Sequence, residues 1–301
     1  MNLEQKLTAE SVEDSSTSST KATPSYRSIR PPKKACPGAL IVNADDWGRD
    51  RETTDRTLDC ICCGTVSSVS AMMFMEDSER AAAIARDNKI DSGLHLNFTS
   101  PFSASGTSSQ LVAHQNRLSK YLLRHRFSQV VFHPGLSRSF EYVVRTQRDE
   151  FNRLYGKEPE RLDGHHHMHL CANVIFDRLL PPGTMVRRSF SFRTDEKHGI
   201  NRLYRGLINR ALAKRHRLTD YFFSLLPVQP QSRFEEIRSL ARRSVVEVET
   251  HPVNPEEYRF LKSHEVLSLT DDLQIARGFI YPVLASGRLS HNVSDGYGSD
   301  E

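Results

Sequence analysis

Short apolar runs alternate along this chain with longer stretches of helical character, and several of the runs end in polar, chemically capable residues. Residues 39–42 read Ala-Leu-Ile-Val, a continuous apolar run typical of a strand buried on both faces, and it leads to a pair of aspartates. Residues 51–63 predict a helix closed by Gly64 just past its C-cap. A strand is expected over 66–73, and then a helix over 76–88, with Ala81, Ala82, Ala83 and Ile84 as good formers or core residues. Residues 91–97 return to a strand that finishes at His95. The stretch 100–138 is rich in Ser, Gly and His and shows one amphipathic segment, around Leu118 to Leu123. A helix over 141–155, ended by Gly156, leads through Arg161-Leu162-Asp163 into a histidine run. Asn173 is placed to cap a helix reaching Leu180. Leu203, Leu207, Ile208 and Leu212 mark a basic helix. Residues 234–241 predict another, followed by a strand over 245–249 that ends at His251. Strands alternating with helices predict an α/β fold, barrel-like and of (β/α) type, with mostly parallel strands. In such folds the chemistry sits at the carboxyl ends of the strands.

Length and composition narrow this picture. With 301 residues, 38% of them hydrophobic, the chain can bury one sizeable core. No linker interrupts residues 37–286, which predict one catalytic domain. Residues 1–36 carry Ser, Thr, Pro and Lys with few large apolar groups and predict a disordered tail. Residues 287–301 form a second polar tail. Residues 1–20 lack the apolar segment of a signal peptide, and no apolar run approaches membrane-spanning length. Five cysteines do not make a disulfide framework in a chain this long; Cys60, Cys62 and Cys63 read as buried thiols near a helix end. The expectation is a cytoplasmic protein. A formal charge of +4 is mild and does not call for nucleic acid. The basic residues are uneven, however: ten lysines and arginines between Arg187 and Arg217 face only Asp195 and Glu196. A solvated helical face is the plain reading, and an anionic substrate or an acidic membrane surface the functional one.

Four fragments carry the chemistry: Asn43-Ala44-Asp45-Asp46-Trp47-Gly48, Gly93-Leu94-His95-Leu96-Asn97, Asp163-Gly164-His165-His166-His167-Met168-His169 and Glu249-Thr250-His251-Pro252. A hydrolytic metal centre needs imidazole and carboxylate ligands and a second carboxylate free to move protons. Inside an ideal strand Asp45 and Asp46 point to opposite faces, but a turn at the strand's end aims both at one cavity. One then binds metal and the other serves as base, or the pair simply caps a helix. In an extended backbone His165, His167 and His169 share one face. One or two of these histidines would ligate, the others would orient ligands, and Asp163 is a natural carboxylate partner. Pro252 holds His251 extended, which suits a ligand or a general acid. Arg187 and Arg188 follow the 181–183 turn, placed either to hold substrate oxygens or to form surface salt bridges.

Taken in order over roughly residues 39–275, these fragments resemble the YdjC-like carbohydrate deacetylases of the chitooligosaccharide deacetylase type. The resemblance also includes Gly64-Thr65-Val66-Ser67-Ser68 and Gly156-Lys157-Glu158-Pro159. It implies a barrel-like fold, one divalent metal usually taken as magnesium, and removal of an acetyl group from an N-acetylated sugar. Carried over by motif, Asp46, His95 and His165 would ligate the metal, Asp45 would be the base and His251 the general acid. Asp163, His167, His169, Asn97, Trp47 and Arg187 would surround the metal or the substrate, with Trp47 at the pocket wall in place of the usual Phe. Two imidazoles and a carboxylate suit zinc or another transition metal as well. Segment 100–138 departs from the family pattern and would shape sugar specificity. The competing readings are a metal-dependent phosphoesterase and a sugar-binding protein without turnover.

Overall fold

Seven strands run parallel in the order β5-β4-β3-β2-β1-β7-β6. They are β1 (Ala39–Trp47), β2 (Ser68–Ala71), β3 (Ser92–Leu96), β4 (Arg161–Gly164), β5 (Met185–Val186), β6 (Tyr221–Ser224) and β7 (Val245–Thr250). This computed structural model describes residues 38–125, 127–191, 199–228 and 231–263, so the expected tails, 1–36 and 287–301, lie outside them. The sheet curls into a half-barrel. Its outer strands are joined where Met185 bridges Arg217, on the approach to β6, and where the Ser191 amide donates to the Phe222 carbonyl at 2.8 Å. Among the described residues no helix is long and apolar enough to cross a membrane.

The helices are α1 (Arg51–Cys62), α2 (Ser78–Asp87), α3 (Ser109–Leu122), α4 (Ser137–Tyr155), α5 (Ala172–Phe176), α6 (Gly199–Ala213), α7 (Gln231–Ala241) and α8 (Pro255–Leu261). Strand alternation divides the sheet into two unlike faces. Leu40, Val42 and Ala44 of β1, Val69 and Ala71 of β2, Leu94 and Leu96 of β3, and Val246 and Val248 of β7 join the hydrophobic core, packed with the helices. The alternate positions carry Asn43, Asp45, Ser68, Ser70, His95, Asp163, Glu247 and Glu249, every one of them buried. The interior of the half-barrel is therefore polar, and the apolar core lies between sheet and helices.

Most predicted elements are present with shifted ends. The amphipathic segment in 100–138 is longer than expected: α3 buries Leu111, Gln115, Leu118 and Leu122 at helical spacing. Asn173 is not a cap. Cys171 precedes α5, and the Asn173 amide side chain instead ties the 133 region down through the His133 amide and carbonyl. Of the three clustered thiols only Cys60 is buried, and burial pushes it up to about 12, whereas Cys62 is exposed. Gly64 and Gly156 both adopt the left-handed conformation that ends a helix, with φ of 77° and 69°.

The start of α1 is fixed by Asp50, whose carboxylate accepts from the Thr53 amide at 2.8 Å. Burial would raise the Asp50 pKa, but the Thr53 amide and Arg49 outweigh it and lower it. Asp50→Ala is expected to cost about 1 kcal/mol in urea unfolding, the usual worth of an N-cap. An unchanged midpoint would show that this end of α1 is held by packing alone.

Candidate active site

A bulge lets two neighbouring aspartates share one cavity. The pairing of β1 with β2 shifts register between Ala44 and Trp47, and Asp46 takes a left-handed φ of 64°. Asp46 is thereby aimed at His165, whose Nδ1 lies 2.8 Å from its Oδ1, while Arg49 donates to its Oδ2 at 2.8 Å. Register does the rest. His95 sits beside Asp163 in the β3–β4 ladder, and Asn43 beside both Ser68 and Glu249. Gly93 has no room for a side chain, since a Cβ there would meet the Arg161 guanidinium at 2.8 Å. That guanidinium crosses the interior to donate to Ser70 Oγ and the Val69 carbonyl.

Asp46, His95 and His165 place ligand atoms within 4.8 Å of one another, as do Asp45, His95 and Asp163, and all five residues are buried. His95 Nδ1 is 2.9 Å from Asp163 Oδ1, which leaves Nε2 facing Asp46 Oδ1 at 3.4 Å and Asp45 Oδ2 at 4.0 Å. In a neutral ring with its hydrogen on Nδ1, Nε2 is a lone pair set against carboxylate oxygens, an arrangement that needs a proton or a cation between them. Burial opposes charge on His95, yet Asp45, Asp163 and Asp46 together hold its pKa up at about 10. A metal ion among the same donors would supply the positive charge that the proton supplies here. The residues therefore fit a divalent cation, with Asp163 orienting His95 as outer carboxylates do. Asp46 is held well below the usual carboxylate range: burial alone would raise it, but the His165 and His95 hydrogen bonds dominate.

Arg187 lies under this group. The expectations of a surface salt bridge or a grip on substrate do not hold, because the side chain is fully enclosed. It clamps Asp45 through two hydrogen bonds of 2.6 and 2.7 Å, donates to Glu247 at 2.7 Å, and pairs with Asp163 at 3.0 Å and Glu249 at 3.5 Å. Its guanidinium also stacks on Phe222, 4.9 Å from the ring centre. Burial pushes Asp45 up, but Arg187 and His95 together outweigh it and leave Asp45 low. Glu249 is the opposite case, since burial and the Asp45 charge hold it well above the usual range.

The histidine run is not extended. Residues 165–170 form a tight turn in which His166 and His167 take left-handed φ of 54° and 56°. Non-glycine residues in this conformation cost energy and collect at functional sites. The rings diverge as a result. His166 Nδ1 meets Thr99 Oγ1 at 3.1 Å, His167 Nε2 lies 3.7 Å from Glu249 and packs on Phe190, and His169 Nε2 bonds the Arg187 carbonyl at 3.0 Å. Burial lowers both His166 and His169 to about 4, which keeps them neutral.

Two further expectations are corrected. Trp47 is no pocket wall: it is fully buried and its indole donates to the Ala81 carbonyl of α2. Asn97 does not reach the cluster, for its side chain organises the turn after β3, accepting from Thr99 and Ser100 amides and donating to the Ser100 carbonyl. His251 sits on the rim with its side chain 35% exposed, and its Nδ1 lies 3.9 Å from Glu257. Glu257 also accepts from the His251 amide and the Thr250 hydroxyl. Glu247, Glu257, Ser70 and Arg161 were not singled out from sequence, and Glu249 entered only within the fragment leading to His251, with no role of its own. The alternating glutamates of Val245–Thr250 were the available signal.

A family model described as YdjC-like protein matches residues 39–273. The chain belongs to the YdjC-like family. A carbohydrate deacetylase of Danio rerio is 29% identical over 47% of this chain and 46% of its own length. A chitooligosaccharide deacetylase of Serratia marcescens is 32% identical over 45% of this chain and 52% of its own. The chain thus spans about half the length of the curated relatives it matches. A solved structure from Enterococcus faecalis V583, provisionally named a cellobiose-phosphate cleavage protein, superposes with a TM-score of 0.55 at 16% identity. The match covers 80% of this chain and 97% of that one, and shows a shared fold.

Proposed function

We propose that this YdjC-like protein is a metal-dependent hydrolase that removes an acetyl group from an N-acetylated sugar. The observation that carries the reading is the buried group Asp46, His95 and His165, set at strand carboxyl ends beside a second carboxylate, Asp45. The naming of relatives as carbohydrate and chitooligosaccharide deacetylases supports it. Asp46, His95 and His165 would hold the cation, which when bound would polarise the acetyl carbonyl and make water more acidic.

The chain's own groups divide the remaining work. Arg187 and Asn43 fix both oxygens of Asp45, so it faces the cluster as an ionised acceptor that orients the attacking water and takes up its proton. His251, tethered near Glu257 and open to solvent, delivers a proton to the departing amine. His166 and His167, kept neutral by burial, line the approach without adding charge. We place the protein in the cytoplasm, since Cys60, Cys62, Cys63 and Cys171 are free thiols.

The test is acetate release from a panel of N-acetylated saccharides before and after chelation, followed by return of magnesium or zinc. Loss on chelation and recovery with one ion is expected, and the ion that restores the rate identifies the metal. Full activity in the chelated protein would remove the metal from the reading.

A further inference from the structure

We propose that the face built by the segments following β3, β4 and β5 docks onto an anionic lipid surface. Strands β5, β4 and β3 are neighbours in the sheet, so the segments leaving their carboxyl ends lie side by side on the face where the site opens. Contacts join them. The Phe132 ring meets Phe176 of α5 at 6.0 Å, and Asn173 of α5 holds His133. Arg205 of α6 stands 5.9 Å over Phe190, which packs against His167 of the site.

This face is apolar and basic at once. Val131, Phe132, Phe176, Leu203 and Leu207 are exposed, Phe176 by 70% and Leu203 by 64%, whereas most large apolar groups among the described residues are buried. Leu203 and Leu207 are one helical turn apart and project from the same side of α6. No Asp or Glu occurs between Asp91 and Glu141, nor between Glu196 and Asp220, while those two stretches hold twelve lysines and arginines. Exposed Lys120 and Arg124, which flank Tyr121 where its hydroxyl donates to the Val131 carbonyl, and Arg210 of α6 pair with no carboxylate of a described residue. Large apolar groups beside cations that pair with no described carboxylate match the two layers of a bilayer surface, acyl boundary and anionic headgroups. A soluble acidic ligand would meet the charge and leave the aromatic and leucine side chains in water.

The proposal concerns binding and needs no turnover, so it stands or falls separately from the deacetylase reading. The full chain is floated with vesicles of phosphatidylcholine alone and with vesicles carrying about 30 mol % phosphatidylserine. Binding is expected to the second kind only and to weaken with added salt. Leu203→Glu with Leu207→Glu, and separately Lys120→Glu with Arg124→Glu, should each reduce the partition coefficient about tenfold or more. Each changes exposed side chains, and circular dichroism checks that the fold is kept. Equal or absent binding to both vesicle types overturns the proposal. So does a concentration-dependent dimer abolished by the leucine pair, which would assign the face to a second copy. Heparin retention without vesicle binding would likewise overturn it in favour of a soluble polyanion.

Discussion

Asp46→Asn is expected to strip the site of its metal and with it nearly all acetate release, while Asp45→Asn keeps the metal and loses rate. The two residues are adjacent, yet the bulge in β1 gives them different partners. Asp46 turns to His165 and His95, and Asp45 to Arg187 and Asn43. A neutral amide at position 46 is a poorer oxygen donor than a carboxylate and cannot help balance a divalent charge. Its effect on metal affinity should exceed the about 10–100-fold loss typical of removing an outer carboxylate partner. Asp163→Asn, which acts through His95 Nδ1, supplies that comparison. Asp45→Asn should lower the rate by about 10²–10⁴, the usual contribution of a positioned base. Metal content by mass spectrometry and acetate release on the three purified variants decide the matter. If Asp45→Asn loses its metal while Asp46→Asn retains it, the two roles are exchanged.

The placement of these residues was legible because parallel α/β folds put chemistry at strand ends, and four fragments of the chain end apolar runs in carboxylate or imidazole. The faces were not legible. Strands such as Ser68–Ala71 and Val245–Thr250 alternate polar with apolar, a pattern usually read as one face in water. Here the polar face is the interior of a half-barrel, so Ser70, Glu247 and Glu249 are as buried as the valines beside them. Arg187 was misread for a related reason. It begins a basic stretch, and a cation in such company is ordinarily solvated. Only the convergence of β1, β4 and β7 on one point shows why a guanidinium is needed there. The short strands β5 and β6 gave no periodic signal: the first has two residues, and the second, Tyr221–Ser224, has four. The histidine run defeated extrapolation from strand geometry, because two left-handed residues turn each ring toward a different partner.

Arg187→Met should be the most destabilising single change in the described core. The methionine replaces much of the apolar stem over Phe222 but leaves Asp45, Asp163, Glu247 and Glu249 enclosed without their shared cation. Removing one partner of a buried ionic group typically costs about 3–5 kcal/mol, because the remaining charges have neither water nor a counterion. The cost should depend on pH, and the sign follows from the carboxylates. In the wild type Arg187 lowers Asp45 and Asp163, whereas Glu247 and Glu249 already stand above their ordinary values through burial. Without the guanidinium all four rise, so near neutrality the folded variant holds protons that its unfolded chain has already released. Stability contributed by such raised groups is present at low pH and lost as pH increases. The gap between wild type and variant, measured by urea unfolding, should therefore narrow from about pH 7.5 to about pH 5.5, by up to about 1.4 kcal/mol per pH unit for each proton taken up. Arg187→Lys should fall between the two, since a single ammonium keeps the charge but cannot bond four carboxylates through a planar fork. A gap that stays constant across this range would mean that Arg187 matters for its packing against Phe222, and that the carboxylates beneath the site are neutralised by some other means.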